Sequence, residues 1–146
     1  MHYIVFIMSV KLKSHPHCVF SLNYHLVLVV KYRRKVISDI IGKRLEEISR
    51  NIASKWNCEI IEFGYEEDHV HLLISAYPSI MMSKFINNLK TITSRMIRKE
   101  YKENIRKKLW GRNFWTRAYC LITTGGATID IVRKYIEKQG NSSPPK

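Results

Sequence analysis

Asp68-His69-Val70-His71-Leu72-Leu73-Ile74 is the stretch whose reading decides the fold. It has the apolar content of a buried β-strand, yet it carries two histidines one residue apart. Side chains alternate faces along a strand, so His69 and His71 project one way while Val70, Leu72 and Ile74 project the other. One face can then anchor in a core while two imidazoles on the opposite face share a cation. The competing reading is a pair of ordinary half-buried histidines, and this stretch alone does not choose between them.

The elements on either side of it give the strand a frame. Before it, residues 58–65 form a second strand, with Gly64 marking a bulge or turn near its end, and Glu66-Glu67-Asp68 is the connecting loop. Earlier still, Phe20, Leu22, Tyr24, Leu26, Leu28 and Val30 alternate with Val19, Ser21, Asn23, His25, Val27 and Val29. Period two with β-branched and aromatic enrichment predicts a long strand over 18–30. Ser38 caps a helix running to about Trp56, with Ile41, Leu45, Ile48, Ile52 and Trp56 as its apolar stripe.

After the histidine strand, which stops before Pro78, a second helix is expected over about 79–101. Its buried side is Met82, Phe85, Ile86, Leu89, Ile92, Met96 and Ile97, and its exposed side carries Lys84, Lys90, Arg95, Arg98 and Lys99. Residues 102–112 read as a basic loop or short helix, and 114–124 as a fourth strand. Gly125-Gly126 breaks that strand and supplies a flexible joint. Thr128 caps a last helix over 129–139, with Ile129, Val132 and Ile136 as its apolar residues and Gly140 as its stop. The order β-α-β-β-α-β-α is an α+β, ferredoxin-like (RRM-like) β-α-β-β-α-β sandwich with an appended C-terminal helix. In that topology the first and third strands are central, so the histidines sit mid-sheet on the face away from the two sandwich helices.

Composition narrows the class. At 146 residues the chain has room for one domain, and 45% hydrophobic residues suffice for a core. Lys and Arg number 25 against 12 Asp and Glu, a formal charge of +13, which points to a polyanionic partner. No helix sets its cations opposite a broad apolar face, which argues against a membrane surface. Cys18, Cys58 and Cys120 are odd in number and form no C-x-x-C pair, so a reducing cytoplasm is expected and a cysteine zinc site is not. Met1–Val10 is apolar but too short to span a bilayer and lacks the flanks of a signal peptide; it reads as an extra strand or an arm. Asn141–Lys146 is a polar, proline-containing tail expected to be disordered.

Two further groups carry chemistry. Lys31-Tyr32-Arg33-Arg34-Lys35 sets four cations around one aromatic, which suits phosphates and base stacking, or alternatively a solvated loop. On the last helix, Tyr135 and Gln139 stand four apart and share a face. Tyr135 lies off the apolar stripe among Arg133, Lys134 and Lys138, cations that would stabilise a phenolate able to attack phosphorus. Gln139 offers a neutral carbonyl oxygen to a hard divalent cation. An edge-of-core tyrosine is the bland alternative.

The combination resembles the HUH endonucleases, in which two histidines flank a hydrophobic residue on a strand and a tyrosine sits on a separate helix. More closely, it is similar to the single-tyrosine transposases of the TnpA type, from small insertion sequences that move as single-stranded DNA. The landmarks are residues 21–35, Asp68-His69-Val70-His71-Leu72-Leu73, Leu109-Trp110-Gly111-Arg112 and Tyr135-Ile136-Glu137-Lys138-Gln139. The resemblance covers about His17 to Gln139, so 17–140 is expected as the transposase domain, with 1–16 as an N-terminal extension.

The resemblance implies metal-dependent cleavage and rejoining of single-stranded DNA at hairpin-marked element ends through a 5′-phosphotyrosine. It implies Tyr135 as nucleophile and Mg²⁺ or Mn²⁺ held by His69, His71 and Gln139. Asp68 would orient a ligand histidine, and Lys31, Tyr32, Arg33, Arg34, Lys35, Lys84, Lys90, Arg95 and Arg112 would hold DNA. It further implies a homodimer in which the tyrosine helix, hinged at Gly125-Gly126, docks on the partner's histidines.

Other readings fare less well on these residues. A histidine-triad hydrolase needs a third alternate histidine where Leu73 stands. Replication initiators and relaxases share the chemistry but occur in longer chains. An RRM-type binding module without catalysis needs stacked aromatics where the central strands carry His25, His69 and His71. A domesticated hairpin-binding endonuclease would keep every one of these catalytic residues.

Overall fold

The computed structural model describes residues 12–15, 18–123 and 129–140. Met1–Val10, His17, the Gly125-Gly126 joint, the Thr128 cap and the 141–146 tail lie outside the described residues.

Two eight-residue strands, β3 (Leu22–Val29) and β5 (His69–Ala76), pair antiparallel along their whole length. Strand β4 (Glu59–Tyr65) flanks β5, and β6 (Cys120–Thr123) flanks β3, giving the order β4-β5-β3-β6. The first and third strands of the sandwich are therefore central, as the sequence pattern predicts. One face of the sheet presents Leu26, Leu28, Val30, Val70, Leu72 and Ile74 to helices α1 (Asp39–Lys55) and α2 (Met82–Glu100). Ile41, Leu45, Ile48 and Ile52 answer from α1, and Phe85, Ile86, Leu89 and Ile97 from α2, all buried. Each such side chain contributes roughly 1.5–3 kcal/mol. A one-residue slip of β5 would exchange Val70 and Leu72 for His69 and His71 in this core, so the packing that stabilises the fold also fixes which way the histidines point. Ser38 caps α1 as expected, accepting from the Ile41 N–H at 3.3 Å.

Several boundaries differ from the sequence reading. The strand expected over 18–30 breaks at Ser21; its first part, β2 (Cys18–Phe20), pairs instead with β1 (Lys13–His15) in a separate two-stranded ribbon. The second helix begins at Met82, because residues 77–80 form a turn closed by Ile80 N–H to Tyr77 O at 3.1 Å. Gly64 is not the bulge: the register of β4 shifts between Ile60 and Glu62. Of the strand expected over 114–124, only Cys120–Thr123 pairs in that way. Phe114 and Trp115 are drawn into the core, Trp115 donating to Thr93 Oγ1 at 3.0 Å and touching the sheet through a lone bridge to Val30. The carbonyls of Thr116 and Arg117 accept from Lys90 Nζ at 2.8 Å each, so a side chain takes the place of a strand partner. A short helix, α3 (Lys102–Arg106), follows α2, and α4 (Ile129–Gly140) closes the described chain. Helix α4 packs against β3 and the turn at Lys31–Arg33. No helix among the described residues is long and apolar enough to cross a membrane.

Candidate active site

The pairing register places the two histidines in adjacent rows across the sheet. His71 stands opposite Gly64 on one side and Val27 on the other, and Val27 in turn stands opposite Cys120. His69 stands opposite Val29. Directly paired residues share a face, so Gly64, His71, Val27 and Cys120 form one row on the face away from the core, with His25 one row further along.

A chain of hydrogen bonds orients His69. Its Nδ1 meets Asp68 Oδ1 at 2.7 Å, while Asp68 Oδ2 accepts from Arg33 Nε at 2.8 Å. With Nδ1 donating to the carboxylate, a neutral ring turns the Nε2 lone pair outward. Burial alone would raise the Asp68 carboxyl, but the hydrogen bonds from Arg33 and His69 outweigh it and hold it below the usual carboxylate range. Arg33 reaches Asp68 because Tyr32 and Arg33 both adopt left-handed backbone, φ 59° and 56°. That conformation costs about 1–3 kcal/mol per non-glycine residue, offset by the ion pair and by Val30 N–H donating to Asp68 O at 2.9 Å.

His71 depends on what its neighbour lacks. A Cβ at Gly64 would overlap the His71 ring, so glycine makes the room in which that imidazole lies. The ring is solvent-exposed at its edge, yet the protein packed around it lowers its pKa; His69 and His25 add repulsion, while Glu62 and Glu66 oppose it. The shift favours the neutral imidazole, the form that ligates a metal. His25 is lowered in the same sense, by burial, with Glu62 opposing. Two imidazoles, one held by a carboxylate and one cradled by a glycine, fit a divalent cation that takes further donors from elsewhere. No cluster of three or more His, Cys, Asp or Glu suited to a metal exists among the described residues.

Tyr135 is carried on α4, which packs against β3 and the Lys31–Arg33 turn. Its phenol is close enough to the Cys120 thiol and the Thr116 hydroxyl for both to act on its ionisation. Its pKa is pushed up to about 12, chiefly by burial and then by the Cys120 thiol. The Thr116 hydroxyl eases the shift without making a hydrogen bond of normal geometry, so Tyr135 Oη is enclosed with no partner among the described residues. The phenolate stabilisation expected from Arg133, Lys134 and Lys138 is therefore not found in this arrangement: Arg133, Lys134 and Lys138 are exposed and the hydroxyl points into protein. Gln139 is half-buried one turn further along α4. The side chains of Ile129 and Val132 lie outside the described residues.

The cations expected to hold DNA divide into groups. Lys31, Lys90, Arg95 and Arg112 line one groove of about 1280 Å³ beside α2, together with Arg98 and Arg117. Lys90 is spent within it on two carbonyls, and burial lowers its pKa. Lys35 and Lys84 are exposed. Tyr32 lies under Lys31 Nζ, 5.5 Å from the ring centroid. Arg33 is the partner of Asp68, and Arg34 stacks on Trp110. Sequence reasoning missed Arg33 as part of the histidine network and Gly64 as the cradle of His71; counting pairs back from the Glu66–Asp68 loop would have set Gly64 against His71.

An antiparallel sheet with helices on one face, a His-x-His pair at the centre of the other and a tyrosine on an appended helix defines the HUH class of DNA strand-transfer enzymes. The family described as "Transposase IS200 like" matches residues 18–139. The ISDra2 transposase TnpA of Deinococcus radiodurans is 36% identical over 133 residues, covering 91% of this chain and 94% of its own length. The transposase for insertion sequence element IS200 of Salmonella typhimurium is 31% identical over 127 residues, covering 87% and 82%. A crystal structure of a Deinococcus radiodurans R1 transposase superposes with a TM-score of 0.81 at 31% identity, covering 89% of this chain and 99% of that one. The REP-associated tyrosine transposase bound to a REP hairpin shares the fold, with a TM-score of 0.55 at 9% identity, covering 86% of this chain and 68% of that one. The chain belongs to the IS200-like family of single-tyrosine transposases, and its activity is DNA transposition.

Proposed function

We propose that this transposase cuts and rejoins single-stranded DNA at hairpin-marked element ends, with Tyr135 as nucleophile and Mg²⁺ or Mn²⁺ held by His69, His71 and Gln139. The observation that carries the reading is the histidine pair on the sheet face, one ring fixed through Asp68 and Arg33 and the other seated over Gly64. The bound cation supplies charge neutralisation and polarisation at the scissile phosphate. Tyr135 Oη gives up its proton and attacks phosphorus; the bond from phosphorus to the 3′ oxygen breaks, leaving a 3′-hydroxyl and a 5′-phosphotyrosine. A 3′-hydroxyl from another strand end then attacks the same phosphorus and releases the tyrosine, so the phosphodiester is conserved without ATP. Two nitrogen donors suit Mn²⁺ somewhat better than Mg²⁺.

Residues 17–140 are the catalytic domain in this reading, 1–16 an extension and 141–146 a tail, acting in a reducing cytoplasm without membrane attachment. The groove lined by Lys31, Arg95 and Arg112 holds the DNA backbone, with Lys35 and Lys84 adding charge outside it. The enzyme works as a homodimer in which α4 of one protomer completes the histidine site of the other. Helix α4 follows the Gly125-Gly126 joint, and the Tyr135 hydroxyl is enclosed with no partner among the described residues, which supports that division. The test is a single-stranded element end labelled at its 3′ end, on the fragment that would carry the 5′-phosphotyrosine, incubated with Mn²⁺ or Mg²⁺ and run on a denaturing gel. A protein–DNA adduct that disappears with EDTA and is not formed on full duplex is expected; cleavage undiminished by EDTA would remove the metal role of the histidines.

A further inference from the structure

The motif Leu109-Trp110-Gly111-Arg112 has a place in the fold but no part in the chemistry above. Leu109 is buried, and the next residue, Trp110, is 59% exposed. Gly111, at φ 79°, takes the left-handed turn that lets adjacent residues face opposite ways. An exposed indole offers a flat face for stacking, and this one is set among charges. The Arg34 guanidinium lies over its ring, 5.1 Å from the centroid. A groove of about 470 Å³ beside it is lined by Arg98, Lys99, Lys102 and Arg106. Arg98 anchors this edge of the groove, donating from Nη2 to Asn113 O at 2.9 Å.

We propose that Trp110 and its flanking cations form a subsite for an unpaired nucleotide of single-stranded DNA, the base stacked on the indole and the adjoining phosphates held by the groove. The inference rests on the single-strand reading above and adds a place where bases, rather than backbone, are bound. An acidic peptide would satisfy the cations but leave the ring bare; a base with its phosphates satisfies both. Arg34 behind the ring polarises and steadies it. The groove shares Arg98 and Gly111 with the larger one that runs past Arg95 and Arg112, so a strand lying there would continue onto Trp110.

The test needs no knowledge of the element's ends. A labelled oligo-dT is compared with a phosphodiester chain of equal length lacking bases, by anisotropy at fixed salt, using the full-length protein. Both carry the same phosphates, so their difference reports base contacts. Wild type should bind oligo-dT at least about fivefold more tightly than the abasic chain, with quenching of tryptophan emission. Trp110→Ala should remove most of that difference and leave binding of the abasic chain unchanged, and Trp110→Phe should restore most of it. Equal affinity of wild type for the two chains would overturn the subsite while leaving backbone binding, and cleavage, in place. Equal loss on both chains in Trp110→Ala would likewise overturn it, as a packing effect. Failure of wild type to bind either chain would instead strike at the single-strand reading itself.

Discussion

The two halves of the proposed site are built very differently. The histidine half belongs to the centre of the sheet: β5 is paired on both sides, its other face is core, and His69 is tied through Asp68 to Arg33. The tyrosine half is an appended helix that rests on β3 and the 31–33 turn, with the Tyr135 hydroxyl enclosed and unpartnered among the described residues. Metal ligands need fixed geometry, and a sheet centre supplies it. A nucleophile that becomes covalently joined to DNA and must later hand it on gains from sitting on an element that can detach. In the proposed mechanism the contrast would separate a fixed Lewis-acid platform from a nucleophile on an appended helix.

The largest expected effects come from deleting either half. Tyr135→Phe should abolish cleavage and adduct formation while leaving DNA binding intact, and His71→Ala should do the same by a different route. The two should part company in stability. Tyr135→Phe removes an enclosed hydroxyl with no partner, so its melting temperature should be unchanged or slightly raised, by no more than the equivalent of about 1 kcal/mol. A clear fall in melting temperature would mean that the hydroxyl is bonded in solution and that the docked helix is not as described.

Smaller effects should come from residues that position the platform. Asp68→Asn weakens the hold on His69 and leaves Arg33 without its carboxylate; Gly64→Ala pushes a methyl group against His71. Each should cost about 10- to 100-fold in Mn²⁺ affinity by calorimetry, with oligonucleotide affinity unaltered. Unchanged Mn²⁺ binding in both variants would place the metal away from β5.

How much of this was legible in the sequence follows the same division. The histidine strand could be read because alternation with Val70, Leu72 and Ile74 is a local signal, and the core on one face enforces it. Tyr135 could be found by spacing to Gln139, but not its surroundings, since Cys120 and Thr116 approach it only through tertiary packing. For the same reason the cations beside it in sequence do not act on the docked phenol: Arg133, Lys134 and Lys138 are exposed, while burial raises its pKa. Lys90 reads as a surface cation on a helix face, yet the chain at Thr116–Arg117 folds over it, an event that no local pattern in either segment announces. Arg33 was placed among DNA-binding cations because only a left-handed turn, unusual for Tyr32 and Arg33, brings it to Asp68.

The smallest expected effect is a titration. A folded-state pKa raised above the ordinary tyrosine value of 10.0 means that docking favours the protonated phenol. The contribution is complete below 10.0 and is lost as pH rises through about 12, so alkaline solution should release the helix rather than tighten it. A difference ultraviolet titration of wild type against Tyr135→Phe should show one phenol ionising late. Ionisation near 10 would mean that Tyr135 is already free of the sheet.

The central claim, that the two halves of one working site come from different protomers, is tested most directly by a mixed dimer. Tyr135→Phe and His69→Ala are co-expressed with distinct tags, the heterodimer is purified through both, and cleavage of a labelled single-stranded end is measured beside each homodimer. Neither homodimer should cut. In the heterodimer one composite site unites the intact tyrosine with the intact histidines, so activity should return to at most about half that of wild type. A verified heterodimer that stays inactive would contradict the shared site and place each tyrosine with the histidines of its own chain.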